Sequence, residues 1–154
     1  MVKNKWTLSF LVIFIFTAAC GQLKSAPQPL PSPSRNWTLI MMQSGGFAGV
    51  SLSARISSNG QLIAEDQRSN RSVTQTLSSQ TMAKLNQLVS GISVSANNNP
   101  QSGCADCFIY DLEIQSEESD FHINVDDVTL KDSSASELIP LIIKLRDDAL
   151  HSNP

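Results

Sequence analysis

Residues 37–67, WTLIMMQSGGFAGVSLSARISSNGQLIAEDQ, carry the reading on which the fold turns. Trp37, Leu39 and Met41 alternate with Thr38, Ile40 and Met42, and a period of two puts successive side chains on opposite faces of a strand. Ser44-Gly45-Gly46-Phe47-Ala48-Gly49 breaks the run, and Val50, Leu52, Ala54 and Ile56 resume it. Asn59-Gly60 signals a tight hairpin, because a two-residue turn needs positive φ at both central positions and these residues accept it. Leu62–Gln67 is expected to pair back as a third strand. Strands joined by connections this short run antiparallel.

Further along, Arg68–Arg71 reads as a polar loop and Val73–Leu77 as a weaker fourth strand. Ser78 suits a helix N-cap, flanked by Leu77 and Met82 as a hydrophobic staple. Met82, Leu85, Leu88, Val89 and Ile92 share one helical face, and Gly91 marks the stop. After a loop at Asn97–Pro100, Phe108, Tyr110, Leu112 and Ile114 alternate with Ile109, Asp111, Glu113 and Gln115. Phe121, Ile123 and Val125 repeat the pattern beyond a turn at Ser116–Ser119. Ser134 and Glu137 resemble a capping box before Leu138–Leu150, where Pro140 predicts a kink or the helix start. The order predicts one α+β domain over residues 36–154: an antiparallel sheet of about five strands with two helices.

The chain has 154 residues, 41% of them hydrophobic and 16% charged, which suits one ordinary domain and is too apolar for a disordered chain. A formal charge of -3 argues against nucleic acid as the partner, since phosphate binding needs a basic face. Charge is uneven along the chain. Residues 20–103 hold six basic and two acidic side chains, whereas residues 104–154 hold three basic and twelve acidic. A solvated acidic face accounts for this, as would a surface for a basic partner.

The N-terminus reads as an address. Lys3 and Lys5 precede an apolar run from Trp6 to Phe16, shorter than the roughly 18 to 20 residues a spanning helix needs. Thr17-Ala18-Ala19-Cys20 then resembles a bacterial lipobox, with Thr17 where leucine is usual. Residues 1–19 are therefore expected to be a signal peptide and Cys20 the acylated mature N-terminus. The alternative is an ordinary signal peptide cut after Ala19. A multi-chain anchor of this kind holds a protein stably on a membrane. Pro27, Pro29, Pro31 and Pro33 stand at alternate positions, so residues 20–35 form an extended tether of up to roughly 45 Å.

Candidate chemistry is sparse. Two histidines, His122 and His151, exclude a centre built on three imidazoles, and neither lies in His-Glu-x-x-His. There is no Gly-x-Ser-x-Gly elbow and no phosphate-binding Walker loop. The acidic pairs Glu117-Glu118, Asp126-Asp127 and Asp147-Asp148 are adjacent in sequence, which on a strand sends the side chains to opposite faces. With Cys20 acylated, Cys104 and Cys107 remain as a disulfide staple, a redox pair, free thiols or part of a metal site. The segment after them reads as a strand, whereas thiol activation uses a helix N-terminus. These observations predict a protein that is not an enzyme and needs no metal or cofactor.

Ser44, Gly45, Gly46 and Phe47 are the candidate binding loop. Paired glycines permit backbone conformations and close approaches closed to other residues. Either Phe47 folds back into the core, or the loop presents it to a partner's pocket.

At this segment, Ser44-Gly45-Gly46-Phe47-Ala48-Gly49-Val50, the chain resembles the emfourin-like, protealysin-inhibitor family. The order of later parts is similar: a leucine-bearing helix, the cysteine-aspartate loop Cys104–Cys107, the strand Phe108–Ile114, His122–Asp127, and Leu138-Ile139-Pro140-Leu141-Ile142. The resemblance runs from about Trp37 to Leu150. It implies a small α+β protein that inhibits thermolysin-like zinc metallopeptidases by occupying their active-site cleft. The expected partners are a metallopeptidase, through a contact that needs no thiol, and a membrane, through the lipid anchor. The expected location is extracytoplasmic, in the bacterial cell envelope. Two other functions fit the same residues: a non-inhibitory envelope binding or assembly lipoprotein, and a periplasmic thiol-disulfide protein using Cys104 and Cys107.

Overall fold

Alternation makes Trp37–Gly45 a strand whose odd-numbered side chains from Trp37 to Gln43 are buried, and this strand, β1, lies in the middle of the sheet. The computed structural model describes residues 36–92, 103–117 and 120–152. Around β1 stand β2 (Val50–Ser57), β3 (Gln61–Asp66), β4 (Arg71–Thr76), β5 (Phe108–Ser116) and β6 (Asp120–Asp126). They form one six-stranded sheet in the order β4-β3-β2-β1-β5-β6, every neighbour antiparallel. The expected α+β architecture is present, and Arg71–Thr76 is a full edge strand.

The register aligns the apolar positions into rows across the sheet, one over all six strands and the next over five with Gln75 at its β4 end. One row reads Val73, Ala64, Ala54, Met41, Leu112, Ile123, and the next reads Gln75, Leu62, Ile56, Leu39, Ile114, Phe121. Both helices cover this face. The helix α1 (Ser79–Ser90) buries Leu85, and Trp37 Nε1 donates to Asn86 Oδ1 at 3.0 Å. The longer α2 (Leu138–Ser152) buries Leu138, Ile139, Ile142, Ala149 and Leu150, and crosses β2, β3 and β4. Ala54 and Ala64 pair across two of the strands that α2 packs on, and both are fully buried. The other face carries polar positions with Ile40, Met42 and Ile63 among them.

Local chemistry explains the element ends, with two adjustments to the sequence expectations. Ser78 caps α1 by accepting the Thr81 N–H at 3.2 Å, and Leu77 and Met82 join the core as the staple predicts. Gly91 ends the helix with φ -84°, so the stop there does not use a left-handed residue. The Asn59-Gly60 turn has three connecting residues, not two. Ser57 accepts the Gly60 N–H at 2.9 Å, Gly60 alone takes positive φ (+91°), and Asn59 Oδ1 accepts the Gln61 N–H. The extra residue supplies the twist that a two-residue turn obtains from two left-handed positions. Pro140 sits in the first turn of α2, where its missing N–H has no intrahelical partner to lose.

Residues 1–35, with the expected signal peptide, Cys20 and tether, lie outside the described residues, as do Asn97–Pro100 and part of the Ser116–Ser119 turn. Among the described residues no helix is long and apolar enough to cross a membrane.

Leu39 is fully buried at the centre of one apolar row, between Ile56 and Ile114. Leu39→Ala is expected to cost about 2–5 kcal/mol of unfolding free energy, read from the denaturation midpoint at unchanged slope. A cost below about 1 kcal/mol would mean that this row is not the packed centre.

Candidate functional site

The sheet's topology gathers four connections at one end: residues 46–49 after β1, 67–70 after β3, 103–107 before β5, and the turn after β6. The candidate loop lies among them. Gly45 still belongs to the ladder, paired with Val50 on one side and Phe108 on the other, while Ser44 pairs with Ser51 and Ile109. The chain then turns, with Gly49 N–H donating to the Gly46 carbonyl at 2.9 Å. Phe47 stands at the tip and is 97% exposed. Of the two placements open from the sequence, the ring therefore lies outside the core.

The glycines here answer to two constraints. Gly45 and Gly46 have φ of +93° and +67°, a region other residues enter only with strain. They also touch the neighbouring chain. A Cβ on Gly45 would stand 2.8 Å from the Cys107 carbonyl oxygen, and one on Gly46 would stand 2.5 Å from the Phe108 ring. The absence of side chains allows the Gly46 N–H to donate to that same Cys107 oxygen at 3.1 Å. From the other side, the Arg68 guanidinium donates to the Ala48 carbonyl. Arg68 is itself held in a turn organised by Asp66, whose carboxylate accepts Arg68 N–H at 2.9 Å and the Ser69 hydroxyl at 2.8 Å. The Ser69 hydroxyl, helped by the backbone N–H groups, keeps the Asp66 carboxyl below its ordinary pKa against a smaller desolvation effect. Beside this turn runs a depression of about 440 Å³ lined by Val50, Ser51, Leu52, Asp66, Arg68 and Ser69.

Cys104 and Cys107 are joined as a disulfide, with Cα atoms 5.5 Å apart. The bridge closes a short loop, worth roughly 2 kcal/mol or less in chain entropy. It leads straight into β5, not into a helix. Its placement matters more than its energy, because Cys107 is the residue that receives the Gly46 N–H. The start of β5 is pinned in turn by Asp127, whose carboxylate accepts Phe108 N–H and the Tyr110 hydroxyl, each at 2.8 Å. Burial, followed by the bond and charge of Asp127, pushes the Tyr110 phenol well above its ordinary pKa, and the nearby Arg146 charge opposes this.

Arg146 was not among the sequence candidates. Its side chain is 1% exposed and pairs with Asp147, Nε and Nη2 each at 2.8 Å from Oδ1. Helical spacing contains the signal, since Ile142, Arg146 and Leu150 follow at intervals of four and both neighbours are buried. Gln43 could be found the same way, in phase with Leu39 and Met41 on the inner face of β1.

The remaining candidates have local partners. Asp126 Oδ1 accepts Val128 and Thr129 N–H groups at 3.0 and 2.9 Å, shaping the turn after β6. Asp147 and Asp148 pair with Arg146 and Lys144. Glu117 accepts from Asn36, and Glu118 lies outside the described residues. His122 on β6 lies 3.1 Å from the Asp111 carboxylate, which also accepts from Asn124 at 3.0 Å. Among the described residues no group of three or more His, Cys, Asp or Glu side chains is placed to hold a metal ion. The loop thus presents an exposed apolar tip on a hydrogen-bonded turn, and the carboxylates around it serve turns and ion pairs. The chain matches no protein-family model and no curated protein.

Two measurements check this geometry. Gly45→Ala is expected to destabilise the fold more than Gly49→Ala, because the first meets a backbone oxygen and the second meets only the backbone cost of positive φ, about 1 kcal/mol. Equal losses would show that the close approach to Cys107 is unimportant. Tyr110 is the only tyrosine, so phenolate absorbance reports it alone. The folded protein is expected to show no phenolate near pH 10, where a free phenol ionises. Above that pH the unfolded chain binds fewer protons than the folded one, so stability falls as pH rises, and ionisation should coincide with unfolding. A titration near pH 10 with the fold intact would contradict the burial of Tyr110 together with its Asp127 contact.

Proposed function

We propose that this protein is a lipid-anchored, extracytoplasmic inhibitor of thermolysin-like zinc metallopeptidases that fills the active-site cleft with its Phe47 loop and performs no chemistry of its own. The observation that carries the reading is the 97% exposure of Phe47 on a loop fastened at both ends. Burying a side chain of this size is worth about 1.5–3 kcal/mol, which the folded chain forgoes and a partner's pocket can recover. Fixing the loop beforehand lowers the ordering cost of binding, a principle general to tight inhibitors. The likeness of Ser44–Val50 to the emfourin-like family supports the choice of partner. The reading of Cys20 and the proline tether supports the location, with the domain held outside the membrane within reach of secreted enzymes.

The thiol-disulfide reading draws less support, since the Cys104–Cys107 bridge precedes a strand and its carbonyl is engaged in holding the loop. A binding lipoprotein without inhibitory activity would use the same loop, so inhibition is the property to measure.

Residues 36–154 titrated into a thermolysin-like peptidase are expected to abolish peptide hydrolysis at a fixed stoichiometry. Phe47→Ala should raise the inhibition constant by tenfold or more, about 1.4 kcal/mol or above, while leaving the melting temperature unchanged. Undiminished hydrolysis at large excess of the wild-type domain would rule out the inhibitor reading. Full inhibition by the alanine variant would remove Phe47 from it.

A further inference from the structure

We infer that the Cys104–Cys107 disulfide is a redox-sensitive hold on the Phe47 loop, opened by a dithiol reductant and closed again by oxidation, with the sheet left standing in both states. The coupling itself stands on the contacts around Cys107, while its consequence for a partner rests on the reading of Phe47 as the contact residue.

The bridge is placed to be reached. Gly103, Cys104, Ala105 and Asp106 are exposed, and Cys107 is half-buried. Exposed disulfides exchange readily with thiols, whereas buried structural ones resist. A thiolate of the reductant attacks the Cys104 sulfur, the S–S bond breaks, and the Cys107 sulfur leaves as a thiolate that takes up a proton. The second thiol of the reductant then displaces Cys104. Two electrons and two protons have passed to the protein, and the reductant departs as a disulfide. A bridge between residues three apart removes little chain entropy, so opening it weighs lightly on the stability of the whole fold.

Its weight is local, because a single peptide unit joins the bridge to the loop. The Cys107 carbonyl accepts the Gly46 N–H at 3.1 Å, and the N–H of the same peptide, that of Phe108, donates to Asp127 Oδ2 at 2.8 Å. On the β5 side this unit is kept in place by Asp127 and by the pairing of Phe108 with Gly45. On the other side the bridge closes the chain on Cys107 and limits its torsions. Once the bridge is open, Cys107 and the residues before it regain rotational freedom, and the carbonyl that receives Gly46 moves with them. Gly45 and Gly46 amplify the release, since residues without a Cβ have a wide range of backbone conformations to enter. The Arg68 guanidinium still holds Ala48, so the loop is loosened at one end and not unfolded. Reduction thus turns a fixed Phe47 into a mobile one and raises the ordering cost of burying its ring in a partner.

The test follows amide hydrogen exchange in the intact, detergent-solubilised chain in three forms: oxidised, treated with dithiothreitol, and carrying Cys104→Ser with Cys107→Ser. Dithiothreitol is expected to open the bridge in the folded protein. Both open forms should exchange the Gly46 amide at least about tenfold faster than the oxidised form, while Leu39 and Met41 in β1 keep their rates. Reoxidation should restore the slow rate. An unchanged Gly46 rate in both open forms would overturn the inference, as would a bridge that dithiothreitol opens only on unfolding. Equal acceleration at Leu39 and Met41 would also overturn it, by showing that the bridge holds the whole sheet. These rates need no peptidase, so a wild-type chain that fails to inhibit would overturn the proposed function alone.

Discussion

β1 is the constraint on which the rest of the structure depends. It pairs along its length with β2 on one side and β5 on the other, so a single strand sets the register of two hairpin systems that are distant in sequence. Its inward side chains Leu39 and Met41 occupy the centre of the apolar rows, and a shift of one residue would turn every one of them to solvent. The same strand ends in Gly45, where the ladder gives way to the candidate loop. Core and loop are thereby coupled: whatever holds β1 in place also decides where Phe47 emerges.

At that end, steric absence does as much as bonding. The close approach of Gly45 and Gly46 to Cys107 and Phe108 is possible because neither glycine has a side chain to interpose. Once the backbones are that near, one hydrogen bond fastens the hairpin to the entry of β5, and Arg68 fastens it to the β3–β4 connection. The disulfide contributes modest stability for so short a loop, yet it stiffens the residue that receives the Gly46 bond. An exposed aromatic on a mobile loop would lose ordering entropy in any contact, whereas these bonds order the loop within the fold.

The interior beneath the site is less apolar than the rows nearer the sheet's centre. Gln43, Tyr110 and Arg146 are all buried on this side of the core, with Asp147 pairing the arginine and Asp127 receiving the phenol. Burial of such groups is costly unless each is bonded, and here Gln43 Oε1 and Arg146 Nη1 have no hydrogen-bond partner within the protein. Asp126 and Asp127, adjacent in sequence, illustrate the division of labour. The first shapes its own turn, and the second reaches across to β5.

The amino-acid sequence by itself determined the strands, both helices, the N-cap at Ser78 and the antiparallel α+β class, because each rests on local periodicity or on bonds within a few residues. It marked Ser44–Phe47 as unusual through its glycines, but left the direction of Phe47 open, since a hairpin connection can fold inward or outward with the same local pattern. Only the tertiary structure decided that direction, by bringing Cys107 and Phe108, more than sixty positions away, against the two glycines. It also decided that Asn59-Gly60 is a three-residue connection and that Asp127 serves Tyr110, neither of which periodicity can express. The physical reason is common to the Phe47 loop and the Asp127 contact. Periodicity assigns side chains to faces, whereas the contacts that orient a loop are made with whichever strand the sheet places next to it.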